Sequence, residues 1–439
     1  MTDSPQSETV STQQQRLATL ARQAPERVFL SLNHYLQLSW LQTAFAKVRK
    51  DGAPGVDGQT AEQYAANLQG NLQSLLDRAQ SGAYRAPPVR RTWIPKGAGS
   101  TETRPLGIPT FEDKVLQRAV VMILEPIYEQ DFLPGSYGYR PGRSSHQALH
   151  ALREGLMSGQ GGWVLEVDIR QFFDTLDHGV LRQLLQRRIG DGVILRLIGK
   201  WLNAGVWEQG QLTHPETGTS QGSVISPLLA NIYLHYVLDV WFHQEVLPRL
   251  TGRAFLIRYA DDFVLVFSHE ADARRVQEVL PQRFAKHGLT LHPEKTRLVR
   301  FVRPRPRSPN EPPPDTFDLL GFTHFWCRSR NGHWVVKRKT AKARLRRAIQ
   351  AVTQWCRANL HRPIAEQYQT LCRKLRGHYA YYYGITSNYW SLSAFHEFAQ
   401  RAWRKWLSRR KRGHPLTWEI FNRLRLRYPL PRPSIQSHI

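Results

Sequence analysis

The stretch RYADDFVLVF, residues 258–267, sets two adjacent carboxylates, Asp261 and Asp262, between apolar segments. Residues 255–257 (FLI) and 263–267 (FVLVF) have the apolar, β-rich composition of two short strands, and Tyr259-Ala260-Asp261-Asp262 between them reads as a tight hairpin turn. A fold that buries these strands must hold two like charges at the hairpin tip, where desolvation adds to their repulsion. A divalent cation removes the conflict, and Mg²⁺ is commonly held by one or two carboxylates plus phosphate oxygens. Asp is also an ordinary turn residue, so a third carboxylate has to decide.

Asp168 supplies it. Residues 163–173 (WVLEVDIRQFF) form a short, mostly apolar strand in Val164, Leu165, Val167 and Ile169, interrupted near its end by Asp168. A buried strand tolerates such a group when it is paired or metal-bound. Three carboxylates can hold two Mg²⁺ ions about 3.5–4 Å apart, an arrangement that clamps the attacking and leaving oxygens of a phosphoryl transfer. A triphosphate would need cations as well. Lys96 and Arg104 lie on two short predicted strands joined by a Gly/Ser/Thr spacer, one a point charge and the other a bidentate fork. The loop GTSQGSVISP, residues 218–227, opens a predicted helix over 228–243 and can present backbone N–H groups to a phosphate or nucleotide.

Periodicity predicts further helices over 61–80, 114–128, 144–156, 178–185, 193–202 and 274–287, and basic ones over 340–360, 362–383 and 391–412. With strands in the middle third, this is an α+β chain whose sheet is backed by helices and carries carboxylates on one edge. The charge is uneven. Residues 321–439 hold 25 Lys and Arg against Glu366, Glu397 and Glu419, with seven Trp, whereas the preceding 320 residues carry 36 basic and 32 acidic side chains. A near-neutral body followed by a basic end points to a catalytic part and a polyanion-gripping part. A membrane is not the expected partner, because no run of 18 apolar residues occurs. Three scattered cysteines, Cys327, Cys356 and Cys372, offer neither a disulfide framework nor a zinc knuckle, as expected for a reducing cytoplasm. The first residues lack a secretory pattern and read as a disordered lead.

Taken together, the motifs resemble bacterial group II intron-encoded reverse transcriptases. YADD and the Asp168 strand match the palm carboxylate motifs, and GTSQGSVISPLLANIYL matches the loop and helix that face primer and nucleotide. GLTLHPEKT and FDLLGF match later palm and primer-grip motifs, RPLGIPTFEDKVLQ and SYGYRPGRS the fingers, and GAPGVDG the N-terminal extension. The match runs from about Asp51 to Phe325, in the family's order. The resemblance implies a right-hand polymerase fold: a lead at 1–25, an N-terminal extension and fingers at 26–162, a palm at 163–325, a helical thumb or maturase domain at 326–400 and a basic segment at 401–439. It implies RNA-directed DNA synthesis on an RNA template with a DNA primer, using dNTPs and two Mg²⁺ (Mn²⁺ as substitute) on Asp168, Asp261 and Asp262. Phe173 would be the gate excluding a 2′-hydroxyl. Lys96 and Arg104 would hold the triphosphate, Gln221 and Gly222 would sit by the template–nucleotide pair, and Lys295 would assist the pyrophosphate.

Nucleic-acid contacts are expected from Tyr139, Arg140 and Arg143 in the glycine- and tyrosine-rich loop. In the basic end they are expected from Arg376, Arg404, Lys405, Arg409, Arg410, Lys411 and Arg412, with most aromatics there serving as helix core. Implied partners are a group II intron RNA and a target DNA, in a cytoplasmic, nucleoid-associated ribonucleoprotein that promotes splicing and retrotransposition. No CxxC-bearing HNH nuclease follows the basic end, so second-strand cleavage by this chain is not expected. The alternatives are a splicing maturase or RNA chaperone with a dispensable palm, and a domesticated or defence-associated reverse transcriptase without an intron.

Overall fold

A computed structural model describes residues 9–95, 102–159, 161–214, 216–304, 314–382, 386–410 and 416–434. The chain divides into two compact units, Met1–Trp93 with Pro105–Leu298, and Ile94–Arg104 with Val299–Ile439.

In chain order, helices α1 (Val10–Gln23), α2 (Leu38–Lys47), α3 (Ala61–Ala65) and α4 (Leu68–Ser81) lead to strands β1 (Val89–Pro95) and β2 (Thr103–Ile108). Helices α5 (Phe111–Asp131) and α6 (Ser145–Met157) precede β3 (Trp163–Val167), and α7 (Phe172–Thr175), α8 (His178–Gln186) and α9 (Gly192–Leu202) precede β4 (Val206–Glu208) and β5 (Gln211–Thr213). Then come α10 (Ser226–Leu234), the hairpin β6 (Ala254–Tyr259) and β7 (Asp262–Phe267), α11 (Glu270–Ala285) and β8 (Arg297–Arg300).

The sheet that carries the carboxylates has the order β6-β7-β3-β8. β7 is antiparallel to both β6 and β3. From Phe263 onward every residue of β7 is buried, because both of its faces are covered. α11 packs on β3 and β7, with Phe284 stacked on Phe263 at 6.0 Å, while Phe242 meets Phe267 edge-on at 6.4 Å. α5 is largely buried through its apolar middle, Val115–Leu124, and Trp40 of α2 donates its indole N–H to Ala119 O at 2.9 Å.

Three expectations are corrected here. The lead at 1–25 is not wholly disordered: Thr9 caps α1 by accepting from Thr12 N, Leu17 and Ala21 are buried, and Gln14 donates to Met122 O at 2.8 Å. The predicted single helix over 228–243 is α-helical only to Leu234 and continues as π-helical turns over His235–Val240 and Phe242–Val246. The expected boundary at 325/326 cuts a strand, and residues 326–340, assigned to a helical domain, are mostly β-structure.

That β-structure belongs to the second unit. β9 (Phe317–Leu319), β10 (Phe322–Arg328) and β11 (Trp334–Thr340) form an antiparallel sheet ordered β11-β10-β9. Leu320 and Gly321, at φ +50° and +79°, make the two-residue turn between β9 and β10. Helices α12 (Lys342–Ala358), α13 (Ile364–Tyr382), α14 (Tyr389–Leu407) and α15 (Trp418–Arg427) follow. Their core includes Trp403, fully buried, with its indole N–H on Gln367 Oε1 at 3.0 Å. Trp390, by contrast, is 80% exposed. Cys356 and Cys372 are buried free thiols.

Candidate active site

Tyr259 pairs with Asp262, so Ala260 and Asp261 alone make the turn of the β6–β7 hairpin. Ala260 adopts φ +58°, a left-handed conformation that costs a non-glycine residue about 1–3 kcal/mol and persists only when its surroundings impose it. Asp168 follows β3 by one residue, next to the pair Val167–Phe263, and so reaches the level of the hairpin tip. Burial raises the Asp261 pKa above the ordinary carboxylate range, and the charge of Asp168 raises it further. Asp262 is exposed at the first position of β7. Among the described residues no three Asp, Glu, His or Cys side chains converge into a ready-made metal cage. The structure thus couples Asp168 with Asp261 and leaves Asp262 on the rim. An oxygen-only, partly desolvated pair open on one side suits a hard cation that takes its remaining ligands from phosphate and water.

Lys295 lies beside this pair, its Nζ 2.8 Å from Asp168 Oδ2. The turn that carries it is fixed to the same strand end, since His292 N donates to Asp168 O at 2.7 Å and Lys295 N to His292 O at 3.2 Å. Between Asp168 and Phe173 the backbone turns at Gln171, again at positive φ (+48°). The Phe173 ring is half-buried and edge-on to Phe172 at 5.4 Å, while its carbonyl accepts from Thr219 N at 2.7 Å. The loop after Gly218 is held on three sides. Gly218 N donates to Leu176 O, Gly107 N to Gln221 O, and the Gln117 carboxamide oxygen accepts from Ser223 Oγ and Val224 N at 2.7 and 2.9 Å. Gly222 sits at φ +110°, where an added Cβ would lie 2.7 Å from Gly107 O.

Carboxylates at a β-hairpin tip, in the same unit as a braced Gly/Ser/Gln loop, are groups that phosphoryl transfer can use. Residues 94–324 match the family described as reverse transcriptase (RNA-dependent DNA polymerase). This chain belongs to that family. The reverse transcriptase is 38% identical to protein YkfC of Escherichia coli (strain K12) over 291 residues, 58% of this chain and 75% of that protein. It is 42% identical to the group II intron-encoded protein LtrA of Lactococcus lactis subsp. cremoris over 203 residues, 45% of this chain but only 33% of LtrA. The nuclear intron maturase 1, mitochondrial, of Arabidopsis thaliana shares 33% identity over 90 residues, 20% of this chain and 12% of that protein. Among the described residues of the reverse transcriptase no helix is long and apolar enough to cross a membrane.

One expected contact of the reverse transcriptase is corrected. Arg140 is buried and forks onto Glu129 while donating to Leu133 O and Ser136 O, so it staples its own loop and is closed to nucleic acid. Arg404 is half-buried, donates to Leu416 O at 2.9 Å and stacks over Trp418 at 4.1 Å. Arg410 donates to the carbonyls of His361 and Arg362. Both guanidiniums are partly engaged within their own unit and partly accessible. Tyr139, Arg143, Arg376, Lys405 and Arg409 are exposed. Arg104 is exposed on β2, whereas Lys96, Lys411 and Arg412 lie outside the described residues. Sequence reasoning missed Gln117, although it stands in the quoted fingers motif. It also missed Asn231, Asp239 and Arg258, whose signal was a lone polar residue inside an apolar run.

Proposed function

We propose that the chain extends the 3′-hydroxyl of a DNA primer on an RNA template, with Asp168, Asp261 and Asp262 as its metal-holding carboxylates. The observation that carries this reading is the strand register that brings Asp168, one residue past β3, level with the Ala260–Asp261 turn of the β6–β7 hairpin. Asp168 and Asp261 would hold Mg²⁺, with Asp262 as a rim ligand and Mn²⁺ as a substitute; such ions activate the primer hydroxyl and offset triphosphate charge. In the reaction a bond forms between the primer O3′ and the α-phosphorus, the α–β phosphoanhydride breaks, pyrophosphate leaves and the hydroxyl proton passes to solvent. Lys295, whose ammonium lies beside Asp168, would supply a counter-charge to the leaving pyrophosphate. Gln221 and Gly222 face the nascent pair, and Lys96 with Arg104 binds the triphosphate.

Phe173 acts as the sugar gate in this reading, because its backbone is tied to Thr219 and its ring is braced by Phe172. Phe173→Val is expected to reduce the preference for dNTPs over rNTPs by about ten- to a hundredfold, measured as the ratio of kcat/KM values in primer extension. An unchanged ratio removes Phe173 from this role.

The RNA partner proposed is a group II intron, bound by the basic unit and by Tyr139 and Arg143, with consequent help to splicing and retrotransposition, including contact with target DNA. A second reading, splicing help independent of polymerisation, is favoured by the concentration of charge in a separate compact unit. Splicing of the flanking intron RNA at low Mg²⁺ is expected to survive Asp261→Asn. Loss of splicing with polymerisation would tie the two activities to one site.

A further inference from the structure

Arg258 is the penultimate residue of β6 and is completely buried. Its guanidinium is used on one edge by Asp239, with Nε on Oδ1 at 2.8 Å and Nη2 on Oδ2 at 2.5 Å. The remaining nitrogen, Nη1, donates to Asn231 Oδ1 at 2.9 Å and to Ala260 O at 3.1 Å. The second of these acceptors is the carbonyl that joins Ala260 to Asp261. Asn231 in turn donates through Nδ2 to Gly138 O at 2.7 Å. Gly138 lies so close beneath the turn that a Cβ there would sit 2.2 Å from Ala260 N. The backbone of Arg258 is held as well: its N–H donates to Gly135 O and its carbonyl accepts from Tyr137 N, both at 2.8 Å.

Asn231 and Asp239 come from a single helical rod that starts at the end of the Gly218–Ile225 loop. Eight residues of regular α-helix turn about 800°, which would leave these side chains about 80° apart. The wider π-helical turn over His235–Val240 under-rotates and brings Asp239 back toward the face of Asn231. Two buried polar groups thereby converge on one arginine. A buried ion pair is a weak source of stability compared with an apolar pair of similar volume. What an apolar pair lacks is a donor aimed at Ala260 O.

We propose that Arg258, oriented by Asp239 and Asn231, is the positioning residue of the catalytic turn, fixing Asp261 relative to the nucleotide-facing loop through their shared helix. The inference rests on Asp261 being a catalytic metal ligand. Arg258 touches no reacting atom. It imposes the left-handed Ala260 conformation, and the helix beginning at Ser226 sets the spacing between the loop and the carboxylates. Misplacing a reacting group by about 1 Å can cost about 10²-fold in rate.

The test uses the full chain in primer extension with Mg²⁺ and dNTPs. Arg258→Lys, which keeps the charge but loses the fork, is expected to lower kcat at least tenfold while KM for dNTP and the Kd for primer–template stay within about twofold. The paired replacement Arg258→Met with Asp239→Leu is expected to fold with a melting temperature near that of the wild type, yet to lose about 10²-fold in kcat. A folded double variant with kcat within twofold of wild type overturns the proposal. If the double variant does not fold, Asn231→Ala decides: a fall in kcat at constant KM supports positioning, and unchanged kcat overturns it. Asp261→Asn, run in parallel, keeps the two readings apart. If that variant is inactive while Arg258→Lys and the double variant are active, only the positioning role fails. If Asp261→Asn is itself active, the catalytic assignment fails first.

Discussion

Asp261→Asn is expected to lower primer extension by about a thousandfold or more and, in metal-free protein, to raise the melting temperature. The first effect follows from removing a ligand from ions that contribute several kcal/mol of transition-state stabilisation, at about 1.4 kcal/mol per factor of ten. The second follows from the direction of the pKa shift. Burial and the neighbouring Asp168 raise the Asp261 pKa in the folded state. Below the ordinary carboxylate pKa both folded and unfolded chains are protonated at this residue, and it carries no penalty. As pH rises from there through the folded-state value, the unfolded chain loses its proton more readily, so stability falls and the full penalty is present at neutral pH. Asn carries no such penalty. The melting difference between variant and wild type should therefore be largest near pH 7 and vanish toward pH 3. Added Mg²⁺ should stabilise the wild type by mass action and the variant much less. Wild-type extension by Asp261→Asn would end the two-metal assignment, and an unchanged pH profile of melting would end the electrostatic account.

Gly222→Ala is expected to reduce kcat/KM by about a hundredfold with a moderate loss of stability. Two costs combine at this position. The φ of +110° is outside what an L-residue adopts comfortably, and the new methyl would press 2.7 Å from Gly107 O and 2.7 Å from the Leu106 side chain. Relief requires the loop to move off β2, which breaks the Gly107 N–Gln221 O bond and shifts the groups proposed to face the nascent base pair. Misplacement of positioning groups by about 1 Å is what supports the hundredfold figure. Gly210→Ala is the matched control: its φ is +85°, yet an added Cβ there meets nothing within 4 Å. It should show backbone strain in melting and leave kcat/KM near wild type. Equal losses at both positions would show that strain alone, not contact with β2, governs the loop.

The candidate carboxylates stood out in the sequence because Asp168 interrupts an apolar strand and Asp261-Asp262 sit side by side at a hairpin tip, a pair that turn chemistry alone could explain until Asp168 is set beside it. Arg258 and Asp239 interrupt apolar runs too and were passed over, since each is a lone polar residue whose partner lies elsewhere in the chain. Arg140 shows the opposite failure. An arginine in a Gly- and Tyr-rich loop looks alike whether its fork meets phosphate or Glu129, and only the fold distinguishes them. The α+β architecture and most helices of the first unit follow from periodicity. The π-helical turns do not, because a π turn shifts the apolar register within a run that is apolar on nearly every side. Residues 334–340 were missed as a strand because the consecutive charges Lys337, Arg338 and Lys339 fall on both faces of β11, which hides the period-two pattern and resembles the basic helices that follow.

The segment Gly135–Tyr137 also bears on how the protein behaves in concentrated solution. β6 is the outermost strand of its sheet, and an outermost strand with open N–H and C=O groups invites pairing with a neighbouring molecule. Ser136 bridges Arg258 in parallel fashion, occupying the backbone groups of β6 next to the hairpin tip. The same three residues that brace the turn therefore seal one border of the sheet against self-assembly. Proteolytic nicking at the exposed residues Pro141–Arg143 would loosen that seal, and chains so cut should aggregate through strand addition while intact chains remain dispersed.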